Sequence, residues 1–171
     1  MSTVSMLREQ LKTSHEWLEG TMEGVSQEHA DWQPPGTAPS IGSRYAHAVL
    51  AEDAMISVIL QGGAPMFGSS WAGKTGISDP QFIATEEWAQ SVEVDVEQAR
   101  VYGQAVYANS DAFFADLSDD DLGRVVDLTE QEMGKWSLDA FLVSLVISHV
   151  HDIMGEISAT KGFQGLKGYP F

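Results

Sequence analysis

Apolar positions return every three or four residues along most of the chain, and the places where that rhythm stops divide it into segments. In 2–24, "STVSMLREQLKTSHEWLEGTMEG", Val4, Leu7, Leu11, Leu18 and Met22 form one stripe and predict a first helix. The stretch "DWQPPGTAPSIG" brings three prolines and two glycines, which a helix cannot absorb. Ser40 is then placed to cap a second helix running from about Ile41 to Leu60, with Gly62 and Gly63 as its stop. Residues 61–84 keep no period and are rich in Gly, Ser and Pro; they read as a long loop of the kind that borders a binding cleft. Thr85 followed by Glu86 and Glu87 is an N-cap with an acidic first turn. Trp88, Val92, Val96, Ala99, Tyr102, Val106 and Phe113 carry that third helix to about Ala115, which makes it the expected longest.

The pattern changes again after the third helix. "DLSDDDLG" reads as a solvated turn with capping character, without the alternating ligand spacing of a calcium loop. "RVVDL" and "EMGKW" flank "TEQ" and predict a short hairpin or extended pair. From Ser137 a last helix carries Leu138, Phe141, Leu142, Leu145, His149, Ile153 and Ile157 on one side, and "GFQGLKGYPF" closes the chain irregularly. Stripes of this kind are buried only against one another. The expectation is therefore an all-α bundle with a small hairpin insertion before the last helix, as a single domain over 1–171.

Composition narrows the chemistry. A domain of 171 residues buries roughly 70% of the surface its unfolded chain exposes and needs no staple to fold. With no cysteine, disulfides, thiolate nucleophiles and zinc-thiolate sites are excluded, in keeping with a reducing compartment. No run of 18 apolar residues and no basic-then-apolar leader is present, so the expected location is the cytoplasm, without a membrane partner. Nine Lys and Arg stand against 25 Asp and Glu; the net charge of −16 repels nucleic acid.

Five histidines remain as candidate chemistry. At about 100° of rotation per residue, His149 and Ile153 share a face while His149 and His151 lie about 200° apart. His149 therefore points inward and His151 outward. His47 shares its face with Leu50, Ala51, Ala54 and Val58 and also points to the core, whereas His15 and His29 lack a partner pattern. Inward imidazoles on two bundle helices fit either a metal half-site or satisfied core histidines. Asp152 and Glu156 are strained choices for a third ligand, the first rotated away and the second about 10 Å along the axis. Glu52 fits a ligand-orienting or water-polarising group, or a solvated rim carboxylate. Gly155 suits close helix packing. Trp32, Trp71 and Trp88 suit either a cleft lining or the edge of a core.

The layout "W-x-P-P-G…S-I-G…H-A-V-L-A-E", with "H-V-H-D-I-M-G-E-I" and "G-L-K-G-Y-P-F" at the end, resembles the DinB-like superfamily across nearly the whole chain. That resemblance implies an up-down-down-up four-helix bundle, a homodimer, and a divalent metal, nickel or zinc, held by three histidines. His47 and His149 match two of them, and Ile153 stands at the third. It also implies metal-assisted hydrolysis or transfer of a low-molecular-weight thiol, with Glu52 or Glu156 as catalytic candidates. An incomplete histidine triad points instead to weak or absent metal binding. The competing reading is a metal-free bundle that binds a small molecule in its cleft or assembles as a dimer.

Overall fold

The computed structural model describes residues 2–171 and is mostly helical with one small sheet. The first helix, α1 (Thr3–Met22), starts at Ser2, whose hydroxyl accepts from Ser5 N, and ends where Lys161 Nζ caps the carbonyls of Thr21 and Glu23. Asp119, 115 residues or more away in sequence, closes the other end by accepting from Thr3 N and Val4 N. One member of the acidic run is thus a long-range helix cap. A five-residue helix unforeseen from the sequence, α2 (Gln27–Asp31), follows; Ser26 and His29 form a capping box around it.

Helix α3 (Ile41–Asp53) starts at Ser40 as expected and continues through a π-helical stretch, Ala54–Leu60. The turn geometry widens directly after Glu52 and Asp53, two buried carboxylates. Asp53 anchors the long loop: its carboxylate accepts from Ser57 Oγ, Met66 N, Phe67 N and Tyr102 Oη.

The third helix is not continuous. It divides into α4 (Glu86–Ser91) and α5 (Val96–Ala115), because Val92–Asp95 turns extended, Val94 pairs with Ile77, and Asp95 becomes a fresh N-cap accepting from Gln98 N. Nor is it the longest, since the last helical stretch covers Leu138–Phe163. Between these lies the expected hairpin, β1 (Val125–Leu128) and β2 (Gly134–Ser137), antiparallel with Val126 opposite Trp136.

The last stretch is α6 (Leu138–Phe141), a π segment Leu142–Ile147, and α7 (Ser148–Phe163). By length and composition alone it is apolar enough to cross a membrane, but Phe141, Leu142, Val150, Ile153 and Ile157 are buried in the protein's own core. Helix α7 packs on α1 and α3, and α5 on the same two helices. Two apolar clusters fill the interior: one around Tyr45, Val49, Tyr102, Val150 and Ile153, the other around Leu7, Phe114, Leu138 and Phe141.

Candidate functional site

Helices α3 and α7 bring His47 and His149 together. Their Nε2 atoms lie 3.1 Å apart with the rings edge to face. Burial, the neighbouring His149 and then Arg44 push His47 down to about 4, and burial likewise lowers His149. Both imidazoles are therefore neutral near pH 7, so one Nε2 donates and the other accepts. The Nδ1 of His47 is buried without a hydrogen-bond partner.

The position that would complete a triad is closed. Ile153 is 3% exposed and belongs to the apolar cluster. Asp152 and Glu156 are exposed, and Glu156 Oε2 lies 2.5 Å from Arg44 Nε, a contact without hydrogen-bond alignment. Among the described residues no group of three His, Asp or Glu side chains is arranged to hold a metal ion. The donor set does not fit a three-histidine centre: the third ligand is a packed isoleucine, and His47 lacks the outer partner that fixes the tautomer of a metal-bound imidazole.

The expectation that Glu52 is a solvated rim carboxylate is overturned, and so is the reading of His15 as partnerless. Glu52 is 2% exposed; its Oε2 lies 2.8 Å from His15 Nε2 and its Oε1 accepts from Ser110 Oγ at 2.6 Å. The His15 ring stacks on Tyr107 with centroids 3.9 Å apart. Tyr107 Oη and Tyr45 Oη both donate to Glu19 Oε1, and Arg100 Nε donates to Glu19 Oε2. Burial raises both tyrosines well above their usual range; Glu19 adds to it in each, and in Tyr107 the neighbouring Tyr45 contributes more. Three helices thus converge on a polar interior that no periodicity revealed, because its members sit singly on otherwise apolar stripes.

The remaining candidates have structural partners. His29 accepts from Ser26 N through Nδ1, and His151 Nδ1 meets Ile147 O. Trp88 is buried and donates to Asp79 O, Trp71 tilts over Tyr102, and Trp32 follows α2 as its C-cap.

Fold and site together define a mostly helical protein with a histidine pair across two long helices and a closed third-ligand position. Residues 10–154 match the DinB superfamily, and the chain belongs to it. The crystal structure of a conserved protein of locus from Enterococcus faecalis is similar over 94% of this chain and 96% of its own, with a TM-score of 0.79 and 21% identity, a likeness of fold alone. No curated protein matches the chain.

Proposed function

We propose that this DinB-superfamily protein holds zinc or nickel weakly or not at all and works as a small-molecule-binding bundle, homodimeric and cytoplasmic. The observation that carries this reading is Ile153, packed into the core where the third histidine of the family pattern belongs. Two further facts support it. The His47–His149 contact satisfies both Nε2 atoms without an ion, and the catalytic candidates are engaged elsewhere, Glu52 by His15 and Ser110 and Glu156 by Arg44. Side chains meet in opposite order between α1 and α5 (Arg8 with Asp111, Glu19 with Arg100), and in the same order between α5 and the α3 helix with its π extension (Tyr102 with Asp53, Asn109 with Ser57) and between α1 and α7 (Trp17 with His151, Thr21 with Lys161), which supports the up-down-down-up four-helix order. Exposed Trp17, Tyr169 and Phe171, packed edge to face or stacked on one another, support a second copy as partner.

One observation favours the metal-dependent alternative. Two imidazole nitrogens on one tetrahedral zinc lie about 3.3 Å apart, from zinc–nitrogen bonds of about 2.0–2.1 Å, and the 3.1 Å between His47 and His149 is close to that. Metal content per chain, measured by mass spectrometry on protein purified without a polyhistidine tag, separates the two. The proposal expects far less than one zinc or nickel per chain; stoichiometric metal overturns it. Sedimentation at micromolar concentration tests the dimer.

A further inference from the structure

Two ion pairs bridge α1 and α5 in antiparallel register, Arg8 to Asp111 at one end and Glu19 to Arg100 at the other. Between them lies a groove of about 750 Å³, a volume within the range of small-molecule sites. The register of the two pairs puts Leu11 across from Ala108 and His15 across from Gln104, and all four line the groove. A small residue on α5 thus opens the space.

His15 ties this groove to the buried interior. Its side chain is only 10% exposed, and its ring stacks on Tyr107. Glu52 accepts from Ser110 Oγ on Oε1 and faces His15 Nε2 with Oε2, so the carboxylate holds the imidazole proton on Nε2. That leaves a lone pair on Nδ1, which has no protein partner among the described residues and, unlike His47 Nδ1, is not closed off from solvent. A buried network that ends in an open acceptor calls for a donor from outside the chain.

The charges select that donor. Glu9, Glu16, Glu19 and Asp111 line the groove against Arg8 and Lys12, and they are not spread evenly. Arg8 is bound to Asp111 by two 2.6 Å hydrogen bonds and holds its carboxyl below the usual carboxylate range, with Lys12, one turn farther on, contributing; with Glu9 beside them this end is balanced. At the other end Arg100 meets Glu19, which leaves the exposed Glu16 carboxylate in excess next to His15. One surplus negative charge and one imidazole lone pair match a single ammonium group and repel an anion, and the net charge of −16 draws cations towards the molecule as a whole. Leu11 and Ala108, about one helical turn of 5.4 Å from the His15 level, give an apolar wall for the rest of the ligand.

We propose that this groove binds a small primary amine with an apolar body, its ammonium donating to His15 Nδ1, the Glu16 carboxylate and Gln104 Oε1 and its body lying against Leu11, Ala108 and Tyr107. Glu52 is a positioning residue that fixes the His15 tautomer from behind. The inference rests on the small-molecule reading above and gives it a place and a ligand class.

NMR of isotope-labelled protein at neutral pH, titrated with phenethylamine, its uncharged counterpart 2-phenylethanol, and phenylacetate, tests both the tautomer and the site. The ring nitrogens of free His15 should show Nε2 protonated and Nδ1 bare. Saturable shifts at His15, Gln104 and Ala108 are expected with phenethylamine, about tenfold weaker binding with 2-phenylethanol, and none with phenylacetate. Glu16→Gln changes an exposed side chain and should leave the melting temperature unchanged while weakening phenethylamine about tenfold. A proton on His15 Nδ1, unchanged affinity in Glu16→Gln, or equal binding of the alcohol or the acid overturns the proposal. Saturable shifts confined to His47 and His149 would sink the groove but spare the small-molecule reading; no saturable shift with any probe counts against both.

Discussion

His47 and His149 share a hydrogen bond 3.1 Å long between two Nε2 atoms, across helices contributed by opposite halves of the chain. The arrangement needs at least one neutral ring, and two imidazoliums at that distance repel. With His47 pushed from 6.5 to about 4, chiefly by burial, the unfolded chain binds the proton at higher pH than the folded one.

The sign follows directly. Above the unfolded value of 6.5 the His47 contribution is fully present; as pH falls towards about 4 it is lost, because protonation favours the unfolded chain. The loss is on the order of 2 kcal/mol for the half-buried ring. Denaturant midpoints between pH 4 and pH 8 should fall more steeply for the parent than for His47→Gln. Parallel curves would show that the pair is not proton-linked to folding.

Asp53 is a second test of the buried carboxylates. Replacing it by Ala removes the acceptor for two side-chain hydroxyls and for the amides of Met66 and Phe67, and the uncompensated donors cost about 3 kcal/mol. Hydrogen exchange should report where: the Met66 and Phe67 amides should speed up well before those of α5. Uniform loss of protection would mean that Asp53 stabilises the whole core rather than the loop.

Helices α1, α3 and the last helix were legible because each carries a long 3.6-residue stripe with a serine cap or a glycine stop, as did the hairpin through its paired apolar runs. The split of the third helix was not, because Val92 and Val96 stay in phase across the break; the pairing of Val94 with Ile77 that interrupts it comes from a loop 15 residues earlier or more. The meeting of His47 and His149 could be read from helical faces. The His15–Glu52 contact could not, since neither residue belongs to a partner pattern along its helix and only tertiary packing removes Glu52 from water. One signal was available: Glu52 and Asp53 stand beside Ala51 and Ala54 on an otherwise apolar helix, where acids are kept only if other groups of the protein satisfy them.

Gly76 fastens the long loop to the start of α5. Its φ is +74°, its carbonyl accepts from Asp95 N at 2.7 Å, and an added Cβ would come within 2.8 Å of Ala99 N and Asp95 O. Backbone cannot retreat from such a contact as a flexible side chain can, so Gly76→Ala combines strain with a clash. It should cost about 2 kcal/mol or more and lower the thermal midpoint. Gly73→Ala, also at positive φ but with open space around its Cβ, should cost less. Equal midpoints for the two variants would refute the role of the close approach.

Ile153→His asks whether the histidine pair is a metal half-site that lacks one ligand. The residue lies four positions after His149 on α7, so a third imidazole there would rise one turn along the same face, and two histidines already sit close to chelating distance. If the surrounding core yields, the variant should bind zinc and nickel far more tightly than the parent and be stabilised by saturating metal. The cost is also defined: a polar ring replaces a 3% exposed isoleucine among apolar neighbours, which without a metal lowers stability by about 1–3 kcal/mol. Calorimetric titration beside thermal melts, with and without metal, reads both effects. A variant that is destabilised and gains no affinity would show that Ile153 belongs to a core with no cavity to restore. A parent that already binds tightly would mean that a donor other than His47 and His149 completes the site.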